Sequence, residues 1–380
     1  MTLGLKKKQS LVDRKPPEAP YYLRAEDLFI DAHDREIFVK HIFSESEGTT
    51  GYGPVIMSPG ISSNANIFRL SGDGEYLSLA NNRSFANLLA SEGFDVYLYH
   101  PGYSDRVFNR YVSRHCPQSR YYKKRYRVPQ KYSYGDLINH EAPAVIDFVR
   151  RHSHCKSISW VGYSLGGMVA YSYLSKNPGN PIKNLVTIGS PMALNQIFFR
   201  FIPFINFMSS LLGFEEDALL GNLSQNMVPL TRTIRALPDW MVRFNLITPY
   251  LGNPLNIKNR TVKTLLGHIV EPMPKGLQKF FSRFIEQGYS SKEKFINYLE
   301  RLRSLKRSRK NFLFFYGARD VIATPESVFL AREIISPKDP YNLVAVPTAG
   351  HIDLLLGTHS YERVWKPTLE WLKENNSPSV

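Results

Sequence analysis

The sequence predicts an α/β fold: a mostly parallel central sheet flanked by helices, with a helical cap inserted between two of its strands. Three features carry that expectation. Short apolar runs alternate with segments of helical periodicity along most of the chain. Those runs are continuously apolar, as strands covered on both faces must be. The alternation also breaks off near residue 190 and resumes near 311, leaving an insertion of its own helical character.

Taken in order, residues 1–25 read as an N-terminal tail. Lys6, Lys7 and Lys8 are not followed by an apolar core of signal-peptide length, so Sec-type export is not expected and a cytoplasmic location is. The core comprises residues 26–190 and 311–380. Leu28–Ile30 and Arg35–Ile42 flank the turn residues Asp31, His33 and Asp34, which predicts a hairpin of antiparallel edge strands. Pro54–Met57 is a strand that stops at the turn Ser58-Pro59-Gly60. Phe85, Leu88 and Leu89 mark a helix face that begins at Ser84 and ends at Gly93. A strand at Asp95–His100, a helix through Ile138, Ala142, Val145 and Val149, and a strand at Ile158–Val161 follow. A helix after Ser164 and a strand at Leu185–Ile188 close the first piece. The second contains a strand at Phe312–Tyr316, a helix at Glu326–Ile335, a strand at Leu343–Val346 and a last helix with Val364, Trp365, Leu369 and Leu372.

Two insertions stand apart. Residues 191–310 are long enough for a cap over the sheet, and within them Gln196–Phe214 is dense in Ile and Phe but broken by Arg200, Pro203 and Asn206. That suits an interfacial segment, an acyl-chain tunnel or ordinary packing of the cap onto the core better than a membrane span. Residues 105–131 interleave Arg110, Arg114, Arg120, Lys123, Lys124, Arg125 and Arg127 with Tyr111, Tyr121, Tyr122 and Tyr126. With a formal net charge of +15, this insertion reads as a contact for an anionic membrane surface or as a solvated charged face. No nucleic-acid module accompanies it, so nucleic acid is not an expected partner. The two cysteines, Cys116 and Cys155, read as free thiols. His152 and His154 beside Cys155 have no further ligands nearby in sequence, so no metal site is expected there.

The chemistry centres on Gly162-Tyr163-Ser164-Leu165-Gly166-Gly167, a serine between glycines after a strand and before a helix. Such glycines permit the sharp turn that presents a nucleophilic hydroxyl. A serine hydroxyl needs a base, and the base needs an orienting acid. Asp320 lies in the loop after the strand Phe312–Tyr316, and His351 lies in the loop after the last strand. Ligands gather at such carboxyl ends in open α/β sheets. Asp353 is the rival acid, though two residues from His351 it is better placed to tie that loop down. The oxyanion donors expected are the backbone N–H groups of Leu165, next after the nucleophile, and Ile61, in the turn Ser58-Pro59-Gly60-Ile61.

These segments resemble the α/β-hydrolase superfamily, and within it the acid-lipase-like branch and its bacterial esterase relatives. The resemblance is carried by Asn81–Ala86, Phe94–Leu98, Tyr132–Asp136, Ala142–Phe148, Gly162–Gly166 and Gly350–Leu354. It implies a serine hydrolase that cleaves carboxylic esters of a hydrophobic acyl group through an acyl-enzyme, with no cofactor and no metal. The turn reads Ser58-Pro59-Gly60 where the lipase pattern has His-Gly. The same serine could serve an acyltransferase, and a catalytically silent lipid-binding protein on this fold is the alternative from another class.

Overall fold

The computed structural model describes residues 23–45, 51–71, 84–129, 131–192, 238, 252–286, 299–307, 310–336 and 342–376. The predicted hairpin opens the sheet: β1 (Leu23–Ala32) and β2 (Arg35–Ser44) are antiparallel, joined by a turn in which His33 has φ 60°. β3 (Gly53–Ser58), β4 (Phe94–His100), β5 (Ile158–Tyr163), β6 (Ile182–Ile188), β7 (Asn311–Gly317) and β8 (Leu343–Val346) are mutually parallel. One eight-stranded sheet results, in the order β1-β2-β4-β3-β5-β6-β7-β8.

Only β1 of the hairpin is an edge strand. β2 is an inner strand paired antiparallel with β4, which corrects the sequence expectation. Each of its charged side chains has a partner inside the protein. Lys40 pairs with Asp27, Arg35 reaches Asp136 at 2.8 Å and Glu141 at 3.3 Å, and Glu36 accepts from the Ser119 hydroxyl. Buried charge survives when it is paired in this way.

The sheet's two faces explain the continuous apolar runs. Ile56, Tyr97, Trp160 and Leu185 face one layer, packed with the helices Ala142–His152 and Leu165–Lys176. Their neighbours Val55, Val96, Val161 and Val186 face the other, packed with Phe85–Ser91 and the C-terminal helix Lys366–Asn375. Alternate residues of a strand point to opposite faces, so a strand covered twice is apolar at every position. Local chemistry sets the helix ends. The Ser84 hydroxyl caps Phe85–Ser91 by accepting from the Asn87 N–H, and Gly93 follows its end at φ 95°.

The basic insertion folds against the sheet as a small core of its own, with Phe108, Val112, Cys116 and Tyr126 packed on Phe38. Arg106 donates to the carbonyls of Leu266 and Val270, and Arg110 to that of Gly267, so these two cations hold the 191–310 insertion in place. Arg114, Arg120, Lys123, Lys124, Arg125 and Arg127 remain exposed. Within 191–310, the described residues include the helices Asn259–Thr264 and Lys275–Glu286. Gln196–Phe214, the segment expected to line an acyl-chain tunnel, lies outside the described residues. Among the described residues no helix is long and apolar enough to cross a membrane.

Chain order places the site. From β3 the chain moves to β4 on one side and then returns past β3 to β5 on the other. The crevice at the carboxyl ends of β3 and β5 is therefore the topological switch point, where open α/β sheets bind ligands.

Candidate active site

Ser164 stands at that switch point, between the last residue of β5 and the helix Leu165–Lys176. Its backbone has φ 52° and ψ −116°, a sparsely populated conformation for a residue with a Cβ. Surrounding contacts enforce it. The Ser164 N–H donates to the Ile188 carbonyl at 2.9 Å, and the Ser164 carbonyl accepts from Gly167 and Met168. The glycines around it are close approaches of backbone to backbone. A methyl at Gly162 would stand 2.5 Å from the Gly167 nitrogen, and one at Gly166 would overlap the Ser58 carbonyl.

The other two predicted side chains come to the same point. His351 Nε2 is 2.9 Å from Ser164 Oγ, and His351 Nδ1 is 2.7 Å from Asp320 Oδ2. The second oxygen of Asp320 accepts from the Ile322 and Ala323 N–H groups at 2.8 and 2.9 Å. All three side chains are buried, so bulk water competes little for these bonds. The Asp320 and His351 loops are also tied to each other, Ala318 N–H to Val346 and Arg319 N–H to Ala349. Asp353 takes the structural position anticipated for it. Its carboxylate accepts from the Gly350 N–H at 2.9 Å and the Asn253 N–H at 2.9 and 3.0 Å. It thereby fastens the histidine loop to the 191–310 insertion, and burial raises its pKa.

The expected oxyanion donors belong to two segments next to the serine, the start of its helix and the turn after β3. The Leu165 N–H opens a helix and so has no acceptor within it. Gly60 brings the turn after β3 against the elbow: a methyl there would meet the Tyr163 ring at 3.1 Å and Ser164 Cβ at 3.2 Å. The Gly60 carbonyl accepts from the Tyr103 hydroxyl and from Ser63 Oγ, each at 2.9 Å. Because C=O and N–H point oppositely across a trans peptide, these two bonds fix the direction of the Ile61 N–H. Sequence reasoning missed Tyr103 and Ser63, whose role depends on a contact across 43 residues in one case and on the turn's shape in the other.

Glu271, from the 191–310 insertion, was missed as well. Fully buried, it accepts from the Asn64 side chain at 2.7 Å, the Arg106 N–H at 2.8 Å and the Val107 N–H at 3.3 Å. Its own N–H donates to the Ser62 carbonyl at 2.8 Å. One carboxylate thus joins the insertion, the basic segment and the loop that carries Ile61. Burial pushes its pKa up to about 8, with Asn64 and Arg106 opposing. A carboxyl whose pKa is higher folded than unfolded adds stability below its unfolded value, and that contribution is lost as pH rises through the folded value. The melting temperature is therefore expected to decline from about pH 5 through about pH 8, and to decline less in Glu271→Gln; parallel melting curves for the two proteins over that range would refute it.

A family model described as the alpha/beta hydrolase fold matches residues 53–255, just over half of the chain. The chain belongs to the α/β-hydrolase fold family. This α/β-hydrolase is also 26% identical over 163 residues to human gastric triacylglycerol lipase, covering 43% of this chain and 36% of the lipase, so it spans only about a third of that relative. A carboxylesterase from the thaumarchaeon Nitrososphaera gargenis superposes with a TM-score of 0.53 at 15% identity, over 92% of this chain and all of that one. An esterase from Thermogutta terrifontis does so with a TM-score of 0.52 at 14% identity, over 93% of this chain and all of that one. At such identity the two structures speak to the fold alone. The family match ends before Asp320 and His351, whose placement rests on the geometry above.

Proposed function

We propose that this α/β-hydrolase is a serine carboxylic-ester hydrolase that works through an acyl-enzyme. The observation that carries the reading is the buried hydrogen-bonded chain from Ser164 through His351 to Asp320, which begins at a strained serine on a strand-to-helix turn. Ser164 Oγ attacks the ester carbonyl carbon while its proton passes to His351 Nε2. Asp320 holds Nδ1–H and stabilises the imidazolium. The Ile61 and Leu165 N–H groups receive the developing oxyanion, where loss of one donor costs about 2.7–4 kcal/mol in a studied serine protease. As the tetrahedral intermediate collapses, the ester oxygen leaves with the proton from His351. Water, deprotonated by the same imidazole, then releases the acid.

Similarity to a triacylglycerol lipase and the apolar segment Gln196–Phe214 favour a hydrophobic acyl group. The exposed cations of the basic insertion favour an anionic membrane as the place where such a substrate is met. The test is a fluorophosphonate probe followed by peptide mass spectrometry, with p-nitrophenyl esters of increasing chain length alongside. One label per chain on the peptide containing Ser164, with turnover that rises from short to medium acyl chains, is the expected result. A folded protein that takes no label and turns over none of the esters is not a serine esterase.

A further inference from the structure

On the β1–β2 side of the sheet, away from Ser164, three side chains remote in sequence meet. Glu26 of β1, His41 of β2 and His152 at the end of the helix Ala142–His152 each bring one potential ligand atom within 4.8 Å of the other two. His41 lies opposite Tyr97, at the middle of β4, and its strand β2 is three places from β5, whose carboxyl end leads into Ser164. The cluster is therefore separate from the proposed catalytic site.

His41 is the informative member. Its side chain is only 7% exposed, and neither ring nitrogen makes a hydrogen bond. Buried polar atoms are rarely left so, and an ion is one of the recognised reasons. Two carboxylates face it instead: Glu26 Oε2 is 3.5 Å from Nδ1, and Asp95 Oδ1 is 3.5 Å from Nε2. Stacking on Tyr97, with centroids 4.3 Å apart and planes 7° from parallel, and on Phe43 fixes the ring. His152 is held through Nδ1 by the Tyr97 hydroxyl at 2.9 Å, which leaves its Nε2 to act as a ligand.

We propose that Glu26, His41 and His152 form a binding site for a divalent transition-metal ion, zinc by preference. Two imidazoles and a carboxylate are a known zinc ligand set, and ligands about 2.0–2.1 Å from a tetrahedral ion stand roughly 3.4 Å apart, the spacing already present between Glu26 and His41 Nδ1. Asp95 then accepts from His41 Nε2–H, and the Tyr97 hydroxyl orients His152, so both histidines have the outer partner that metal-bound imidazoles carry. The exposed side chains of Glu26 and His152 close the remaining distance while His41 stays in place. A solvent molecule completes the tetrahedron. With neutral imidazoles, the two carboxylates supply the negative charge a dication requires. The site would clasp β1, β2 and the helix end together.

Isothermal titration of zinc into the chelator-stripped full-length protein tests this, with metal content and melting temperature as further readouts. One equivalent is expected to bind and to raise the melting temperature, since a ligand of the native state stabilises it. His41→Ala is expected to weaken binding by more than about 10–100-fold, the loss typical of removing even an outer partner. Should that buried change prevent folding, the surface variants His152→Gln and Glu26→Gln are each expected to weaken binding with the melting temperature of the stripped protein unchanged. Fluorophosphonate labelling of Ser164 serves as an independent measure of fold. Binding equal in wild type and in both surface variants would place the ion elsewhere and overturn the proposal. No binding to wild type would overturn it too.

Discussion

Ser164→Ala and Ser164→Gly are both expected to lose on the order of 10⁶-fold in kcat, yet to differ in stability. The loss follows from the proposed role of the hydroxyl: without it the acyl-enzyme cannot form, and removing the nucleophile of a serine protease costs about that factor. The stability difference follows from the backbone. Ser164 is held at φ 52° and ψ −116° by bonds to Ile188, Gly167 and Met168, none of which uses its side chain. Strain of this kind costs about 1–3 kcal/mol for a residue with a Cβ. Alanine keeps the strain and glycine relieves it, although glycine gives back about 0.4–1 kcal/mol through the greater freedom of its unfolded chain. Ser164→Gly should therefore be the more stable of the two inactive variants by about 1 kcal/mol, measured by urea or thermal unfolding. An alanine variant as stable as the glycine one would mean that the elbow stores no strain. Retention of even a thousandth of wild-type turnover in both would displace Ser164 as nucleophile.

The sequence displayed the parts of this site that depend on local order. Ser164, Asp320 and His351 each lie just past a strand whose apolar run was readable, and in a parallel sheet such loops converge at one edge. The carboxyl ends of β5, β7 and β8 therefore meet whatever the rest of the chain does. What stayed hidden depends on contacts without local trace. The hairpin pattern made β2 look like an edge, because its second neighbour β4 and the partners of Arg35, Glu36 and Lys40 (Glu141, Ser119 and Asp27) are supplied by other segments. Glu271 is separated by 207 residues from the Asn64 it holds, and no periodicity marks either. Tyr103 reads locally as one more residue after a strand, and only the placement of the turn after β3 gives its hydroxyl the Gly60 carbonyl. The basic and aromatic residues at 105–131 read as one signal but divide into two. Arg106, Tyr111 and Tyr126 are used inside the molecule, whereas Arg114, Lys123, Lys124 and Arg125 remain on its surface. His152, dismissed as a ligand for want of neighbours in sequence, gains them from β1 and β2.

Asp320→Asn is expected to lower kcat by about 10⁴-fold with almost no change in stability. The carboxylate's two oxygens have different duties. Oδ1 accepts from the Ile322 and Ala323 N–H groups, and Oδ2 faces His351 Nδ1. An asparagine keeps its carbonyl oxygen on the two backbone donors, since turning it over would set its NH₂ against them. The NH₂ is then left pointing at Nδ1, which must become an acceptor. The imidazole proton moves to Nε2, the atom 2.9 Å from Ser164 Oγ, and a protonated Nε2 cannot take the serine's proton. The same substitution in a serine protease preserves the geometry and costs about 10⁴ in kcat for this reason. Because both backbone bonds and the packing survive, the unfolding midpoint should stay within about 1 kcal/mol of wild type. Steady-state kinetics with a p-nitrophenyl ester and a melting curve on the same preparation distinguish the outcomes. A variant that keeps a tenth of wild-type kcat would remove Asp320 from the proposed mechanism, and Asp353→Asn would then be examined as the alternative acid.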